Sequence, residues 1–294
     1  MKKGFSMFSY GEDVDLAEKF TLIKKAGYDG VEPVMGNTGY LTCNSTEKQI
    51  LEIAKIAEET GLQIPSVGVW SLWENNLVSD RNEVRGKAKD IIRRQIEAAS
   101  ILGADTILVV PGYVGCDFVT NPEHIRYDIA YERCVEALNE LAPYAEAAKI
   151  QIGIENVWNR FLLSPIEVRR LLDSIDSQYV GMYFDVGNVM YIGYPEDWIK
   201  ILGSYIKKVH VCDFRRSQSG IEAFVDLLAG DVDYPAVMQA LQEIGYDDYL
   251  TLEMLPNYKQ FPDASMYSNK KSLDYIVDRL IDGSAGRGDS SDDK

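Results

Sequence analysis

IQIGIE (150–155), YVGMYFD (179–185), IKKVH (206–210) and YLTLE (249–253) are apolar runs of strand type, and each ends in a residue able to hold a metal: Glu155, Asp185, His210 and Glu253. In a (β/α)8 barrel the C-termini of parallel strands converge on one mouth, where the active site of that fold sits. A single acid at a strand end is ordinary. Four consecutive strands ending this way predict one metal site. Three carboxylates and one imidazole form a mostly hard oxygen set, which suits Mn2+ first, with Mg2+ or Co2+ as alternatives to a structural zinc.

The same alternation extends over the rest of the chain. Further strands are expected near Gly4 to Phe8, Gly30 to Glu32, Gln63 to Val69 and Thr106 to Val110, with helical patterns between all eight. The links KKAGYDGVE, SILGADTILV and QEIGYDDYLTLE each place a glycine where a helix would end before an apolar strand. Alternating β and α segments also fit an open doubly wound sheet. Eight units and the lack of a glycine-rich phosphate loop after the first strand favour a closed TIM barrel. The expected organisation is a single catalytic barrel over residues 1–282 and a polar tail, GSAGRGDSSDDK, read as disordered over 283–294.

Composition narrows the function. With 294 residues and 46% hydrophobic content the chain can bury a large core. A net charge of −16 argues against nucleic acid, whose phosphates are bound mainly by Lys and Arg clusters. Small molecules are therefore the expected ligands. No apolar run approaches the ~18 residues of a membrane span, and the start MKKGFSMFSYG lacks the apolar region of a secretory signal. Cys43, Cys116, Cys134 and Cys212 are widely spaced and fit reduced thiols of a cytoplasmic protein. A homo-oligomer is left open.

Of the two histidines, His210 alone falls on a strand end; His124 is expected to open a helix after NPE as a surface or capping residue. Glu155 and Glu253, ending the fifth and eighth strands, could flank a substrate, one removing a proton from carbon and the other returning one. A metal that polarises a neighbouring carbonyl would stabilise the enediolate so formed. Glu32, at the end of the second strand, would orient a ligand residue or touch substrate. Trp70 and Trp158 would offer an aromatic wall to a sugar face.

These residues, in the texts IENVWN, YFDVGN, VHVCDFRR and TLEM, resemble the xylose-isomerase-like barrel superfamily of sugar and sugar-phosphate isomerases and epimerases, over about residues 4 to 282. The resemblance implies that Glu155 and Glu253 are ligands and bases, that Asp185 and His210 are ligands only, and that Arg216 contacts substrate. Where free-ketose epimerases of this group carry a second histidine and a further glutamate, this chain has Asn188 and Phe161. The Asp-Val-Gly-Asn text is closer to L-ribulose-5-phosphate 3-epimerases, which implies a phosphosugar, with Asn188 among the substrate contacts. Arg160, Arg215 and Arg216 are the candidate phosphate ligands. The function implied is a metal-dependent isomerase or 3-epimerase of a ketose phosphate or related sugar. A lyase on a keto-sugar or keto-cyclitol would share its first step. A repair nuclease of the superfamily would need more than two histidines, and a pure sugar-binding protein would need no bases.

Overall fold

Inward and outward residues alternate along every strand of a parallel barrel, and here the buried polar residues lie in the inward rows, among glycines, while the outward rows are apolar. The computed structural model describes residues 1–117, 119–253 and 258–281, so the expected tail at 283–294 lies outside the described residues. The barrel strands are Lys2–Ser6, Gly30–Glu32, Ser66–Val69, Thr106–Val109, Gln151–Glu155, Val180–Asp185, Ile206–Val211 and Tyr249–Leu252. The long helices are Leu16–Ala26, Glu47–Thr60, Asn82–Leu102, Tyr127–Ala148, Pro165–Asp173, Pro195–Leu202, Tyr234–Glu243 and Ala264–Ile281. Each links two strands or follows the last, as the (β/α)8 reading requires.

The second strand closes the ring. Gly30–Glu32 pairs with Lys2–Ser6, and after Pro33 the chain continues as Val34–Met35, which pairs with Ser66–Val69. These two halves are the opposite ends of one nine-membered parallel sheet. Proline has no N–H for the ladder, which explains a break there. Across the seam the Val31 N–H donates to the Gln63 carbonyl at 2.8 Å, and the Gly68 N–H donates to the Pro33 carbonyl at 2.9 Å.

Outward residues meet the helices: Phe5 packs edge-on to Tyr28 at 5.4 Å between ring centroids, and Phe184 lies 6.4 Å from Trp198. Inward residues are crowded. A Cβ at Gly153 would lie 2.9 Å from the Tyr183 Cβ, so the glycine leaves room for that ring inside the barrel. Helix ends follow the expected chemistry: Thr46 and Gln49 form a capping box, and Gly27 and Gly103 terminate helices at φ of 97° and 75°.

The expected helix around His124 begins later, at Tyr127. Residues 122–126 are instead tied to the preceding loops. The Glu123 carboxylate accepts from Ser79 Oγ and the Asp80 N–H, and the Ile125 N–H donates to the Val114 carbonyl. His124 is exposed, as a surface residue would be. Among the described residues no helix is long and apolar enough to cross a membrane.

At the N-terminal end of the barrel, opposite the mouth, Lys208 is 1% exposed, with its ammonium 2.8 Å from Asp105 and also paired with Asp248. Both acids remain partly in water, so the stem of the lysine fills space and the charges close the end. Lys208→Ala should lower unfolding free energy by about 2–4 kcal/mol through the cavity it leaves, whereas Lys208→Met should recover most of that. Urea titration would show Lys208→Met losing as much as Lys208→Ala if the ion pairs rather than the packing carried the contribution.

Candidate metal centre

Strand register sets the site. Glu155 is paired with Tyr183, and Asp185 and Thr251 with His210, so the ends of strands five to eight form one continuous arc. Glu253 extends this arc by one residue, its N–H donating to the Val211 carbonyl at 3.1 Å. Each strand supplies an inward side chain at the same level. One donor atom from each of Glu155, Asp185, His210 and Glu253 lies within 4.8 Å of the others, and all four residues are buried.

His210 is the hub. Its Nδ1 lies 3.4 Å from Glu155 and 3.3 Å from Glu253, while its Nε2 lies 2.9 Å from Glu32 on the far side of the ring. Asp185 is fixed by its backbone and its carboxylate. The Asn156 amide donates to the Asp185 carbonyl at 2.7 Å and accepts from its N–H at 2.9 Å. The Asn188 N–H and the Cys212 thiol donate to its carboxylate at 2.5 Å and 3.4 Å.

No lysine or arginine among the described residues pairs with the three acids. Burial, partly offset by the His210 hydrogen bond and reinforced by Glu253, pushes Glu155 up to about 7. Burial, with Glu253 and Glu155 beside it, pushes Asp185 well above the ordinary carboxylate range. Burial would pull His210 down, but Tyr183, Glu32 and Glu253 outweigh it and hold the imidazole well above its usual value. Three buried acids without a Lys or Arg partner among the described residues, gathered with an imidazole around a common point, fit a divalent ion.

The other expected site residues are distributed unevenly. Trp70 stands at the mouth, edge-on to Phe8 at 5.4 Å, and Phe8 in turn lies 6.4 Å from the His210 ring. Trp158 stands on the other side, packed on Tyr191 and Phe224 at 5.7 and 5.2 Å, with its indole N–H donating to the Asn188 carbonyl. Asn188 thus meets the centre through its backbone. Phe161 is buried against Tyr127 and does not reach the mouth.

Glu32 is not at the mouth. It is 0% exposed and lies behind His210, its carboxylate 2.9 Å from Nε2. The Arg216 guanidinium donates to the carbonyls of Met190 and Gly193 and stacks 4.6 Å from the Tyr194 ring. Arg160 pairs with Asp117, and Arg215 donates to the Ala229 carbonyl. Asp213, three residues after the histidine, accepts four backbone N–H groups, those of Phe214, Leu228, Gly230 and Val232, and so organises the following loop. Sequence reasoning passed over Asn156, Tyr183, Ser6 and Ser66. The signals available were position beside Glu155 and an inward place two residues before Asp185.

The model of the xylose isomerase-like TIM barrel family matches residues 20–271. Among curated relatives, the inosose dehydratase of Lacticaseibacillus casei is 24% identical over 83% of this chain and 83% of that protein. The L-ribulose-5-phosphate 3-epimerase of Escherichia coli K12 is 22% identical over 90% of this chain and 89% of that protein. Among solved structures, a D-tagatose 3-epimerase-like protein superposes with a TM-score of 0.78 at 22% identity, covering 97% of this chain and 100% of that one. The IOLI protein with a binding zinc atom superposes with a TM-score of 0.73 at 21% identity, covering 95% and 99%. These structural likenesses establish the fold.

A carboxylate moved from an ordinary 4.5 to about 7 binds more protons folded than unfolded between those values. Folding stability contributed by Glu155 therefore falls as pH rises through that window and is level above it. Metal-free wild type should lose thermal stability from about pH 4.5 to pH 7 relative to Glu155→Gln, which has no such proton to lose. Parallel melting curves for the two proteins across that range would contradict the assignment.

Proposed function

The chain belongs to the xylose isomerase-like TIM barrel family, and on that premise we propose that it is a divalent-metal-dependent isomerase or 3-epimerase acting on a ketose phosphate or a related sugar. The observation that carries this reading is the convergence of two glutamates with an aspartate and a histidine on one buried point. Glu155, Asp185, His210 and Glu253 are the residues that would hold the ion, with Mn2+ as the first candidate and Mg2+ or Co2+ next. Bound there, a divalent ion supplies Lewis-acid polarisation of substrate oxygens, which acidifies the adjoining C–H.

Glu155 and Glu253 do the proton work in this reading. Glu155, buried beside Glu253 at the common point, is placed to act as the base. It takes the proton from one face of the carbon, and Glu253 delivers one to the other face, so the electron pair of the broken C–H bond passes through the enediolate and returns to carbon. Asp185 and His210 take no part in the proton transfer. Their fixed settings keep the two glutamates at a common point. Trp70 and Trp158 bound the mouth, where an apolar sugar face packs against them and water is excluded.

A second reading has its own support. Arg160, Arg215 and Arg216 each hold a protein partner, which favours a substrate without phosphate, and an inosose dehydratase is among the relatives. In that case the same abstraction beside a ketone expels a group from the next carbon, and the protein is a lyase.

Chelation should abolish activity, and Mn2+ should restore it. Incubation with Mn2+ in D2O and a panel of pentuloses, their 5-phosphates and keto-cyclitols separates the readings by mass spectrometry. Deuterium at one carbon with unchanged composition marks epimerisation; loss of water marks elimination. Glu155→Gln and Glu253→Gln should each lower turnover by roughly 10²–10⁴-fold and lose exchange from different epimers. Turnover undiminished in rigorously metal-free protein overturns the proposal.

A further inference from the structure

Four strands other than those bearing the carboxylate ligands, or other positions on the same ones, converge behind His210. Glu32 on the second strand is the centre of this group. Its Oε1 accepts from Ser6 Oγ at 2.8 Å and faces His210 Nε2 at 2.9 Å. Its Oε2 accepts from Ser66 Oγ at 2.7 Å and from the Tyr183 hydroxyl at 2.5 Å. Glu32, Ser6, Ser66, Tyr183 and His210 are all buried, and the Tyr183 and His210 rings lie 4.4 Å apart.

A count of donors and acceptors fixes more than the position. A carboxylate offers about four acceptor sites, and here four groups address them. Ser6 Oγ also accepts the Phe8 N–H at 3.3 Å, which leaves its hydroxyl hydrogen for Glu32. With the two serines and the tyrosine donating, the remaining partner, His210 Nε2, must donate as well. Nε2 then carries a hydrogen, and Nδ1, which faces Glu155 and Glu253, is the nitrogen left to ligate once it is free of a proton. Tautomer selection by the hydrogen bond on the non-ligating nitrogen is the general way in which a ligating histidine is set.

We propose that Glu32, held by Ser6, Ser66 and Tyr183, is the positioning residue that fixes the His210 tautomer and ring orientation, so that Nδ1 is the metal-binding nitrogen. The proposal rests on the metal-centre reading above and assigns Glu32 no contact with substrate. It also accounts for a charged residue sealed inside the barrel where a space-filling apolar one would otherwise serve. Glutamine at this position keeps the shape but can donate to Nε2, which permits the opposite tautomer with Nδ1 protonated and unable to ligate.

Because the chain has only two histidines, of which His124 is exposed, long-range 1H–15N spectra of 15N-histidine protein can follow both rings. On addition of Zn2+, a diamagnetic probe, wild type should show one ring with a metal-shifted Nδ1 and a protonated, slowly exchanging Nε2. Glu32→Gln should bind Mn2+ about 10–100-fold more weakly, with an altered absorption spectrum for Co2+, and Tyr183→Phe, which leaves the carboxylate with three partners, should fall between. Zn2+ on Nε2 of wild type overturns this inference and leaves the metal centre standing. Unchanged Mn2+ affinity and Co2+ spectrum in folded Glu32→Gln also overturn it. No shift at either nitrogen in wild type overturns both. The wild-type spectra decide the matter even if Glu32→Gln fails to fold.

Discussion

One buried imidazole faces carboxylates through both of its ring nitrogens, Glu32 behind it at 2.9 Å and Glu155 and Glu253 in front at 3.4 and 3.3 Å. So much negative charge in a space closed to water is unfavourable unless positive charge is held with it. The crowding raises the proton affinity of His210, Asp185 and Glu155, and a divalent ion would offset it. The strand ends, the barrel register and the polar residues of the inward rows can all be understood as keeping these groups at one level against their mutual repulsion.

That arrangement depends on ring closure. Glu32 reaches His210 only because the second strand lies between the first and third, and that strand is split by Pro33 into one half for each neighbour. Ser6 and Ser66, the two residues that hold Glu32, sit on those same neighbours. The seam of the barrel and the support of the histidine are thus one structure. Stability, by contrast, comes from elsewhere: apolar outward rows under the helices, and the Lys208 plug at the opposite end. Separation of the two explains how a barrel tolerates a strained, charged mouth.

The convergence of Glu155, Asp185, His210 and Glu253 was legible because each stands at or near the end of an apolar run, and period-two strands leave a mark in local sequence. Helix termini such as Gly27 and the cap at Thr46 are equally local. What could not be read depends on tertiary contact. Ser6, Ser66 and Tyr183 are common strand residues whose meaning arises only when four strands meet. The contacts of Arg216 with the carbonyls of Met190 and Gly193 likewise join segments far apart in the chain. The segment before Tyr127 has helical neighbours, but Glu123 is captured by the loop at Ser79 and Asp80. The pause at Pro33 was present in the sequence; its place at the closure of the ring was not.

The central claim is that Glu155, Asp185, His210 and Glu253 form a single binding site for a divalent ion. Anomalous diffraction from a crystal grown with Mn2+ tests it directly. The account predicts one strong peak among these four side chains, with all four as ligands. A peak held by other residues, or an ion that engages the carboxylates but leaves His210 outside its ligand shell, would contradict it.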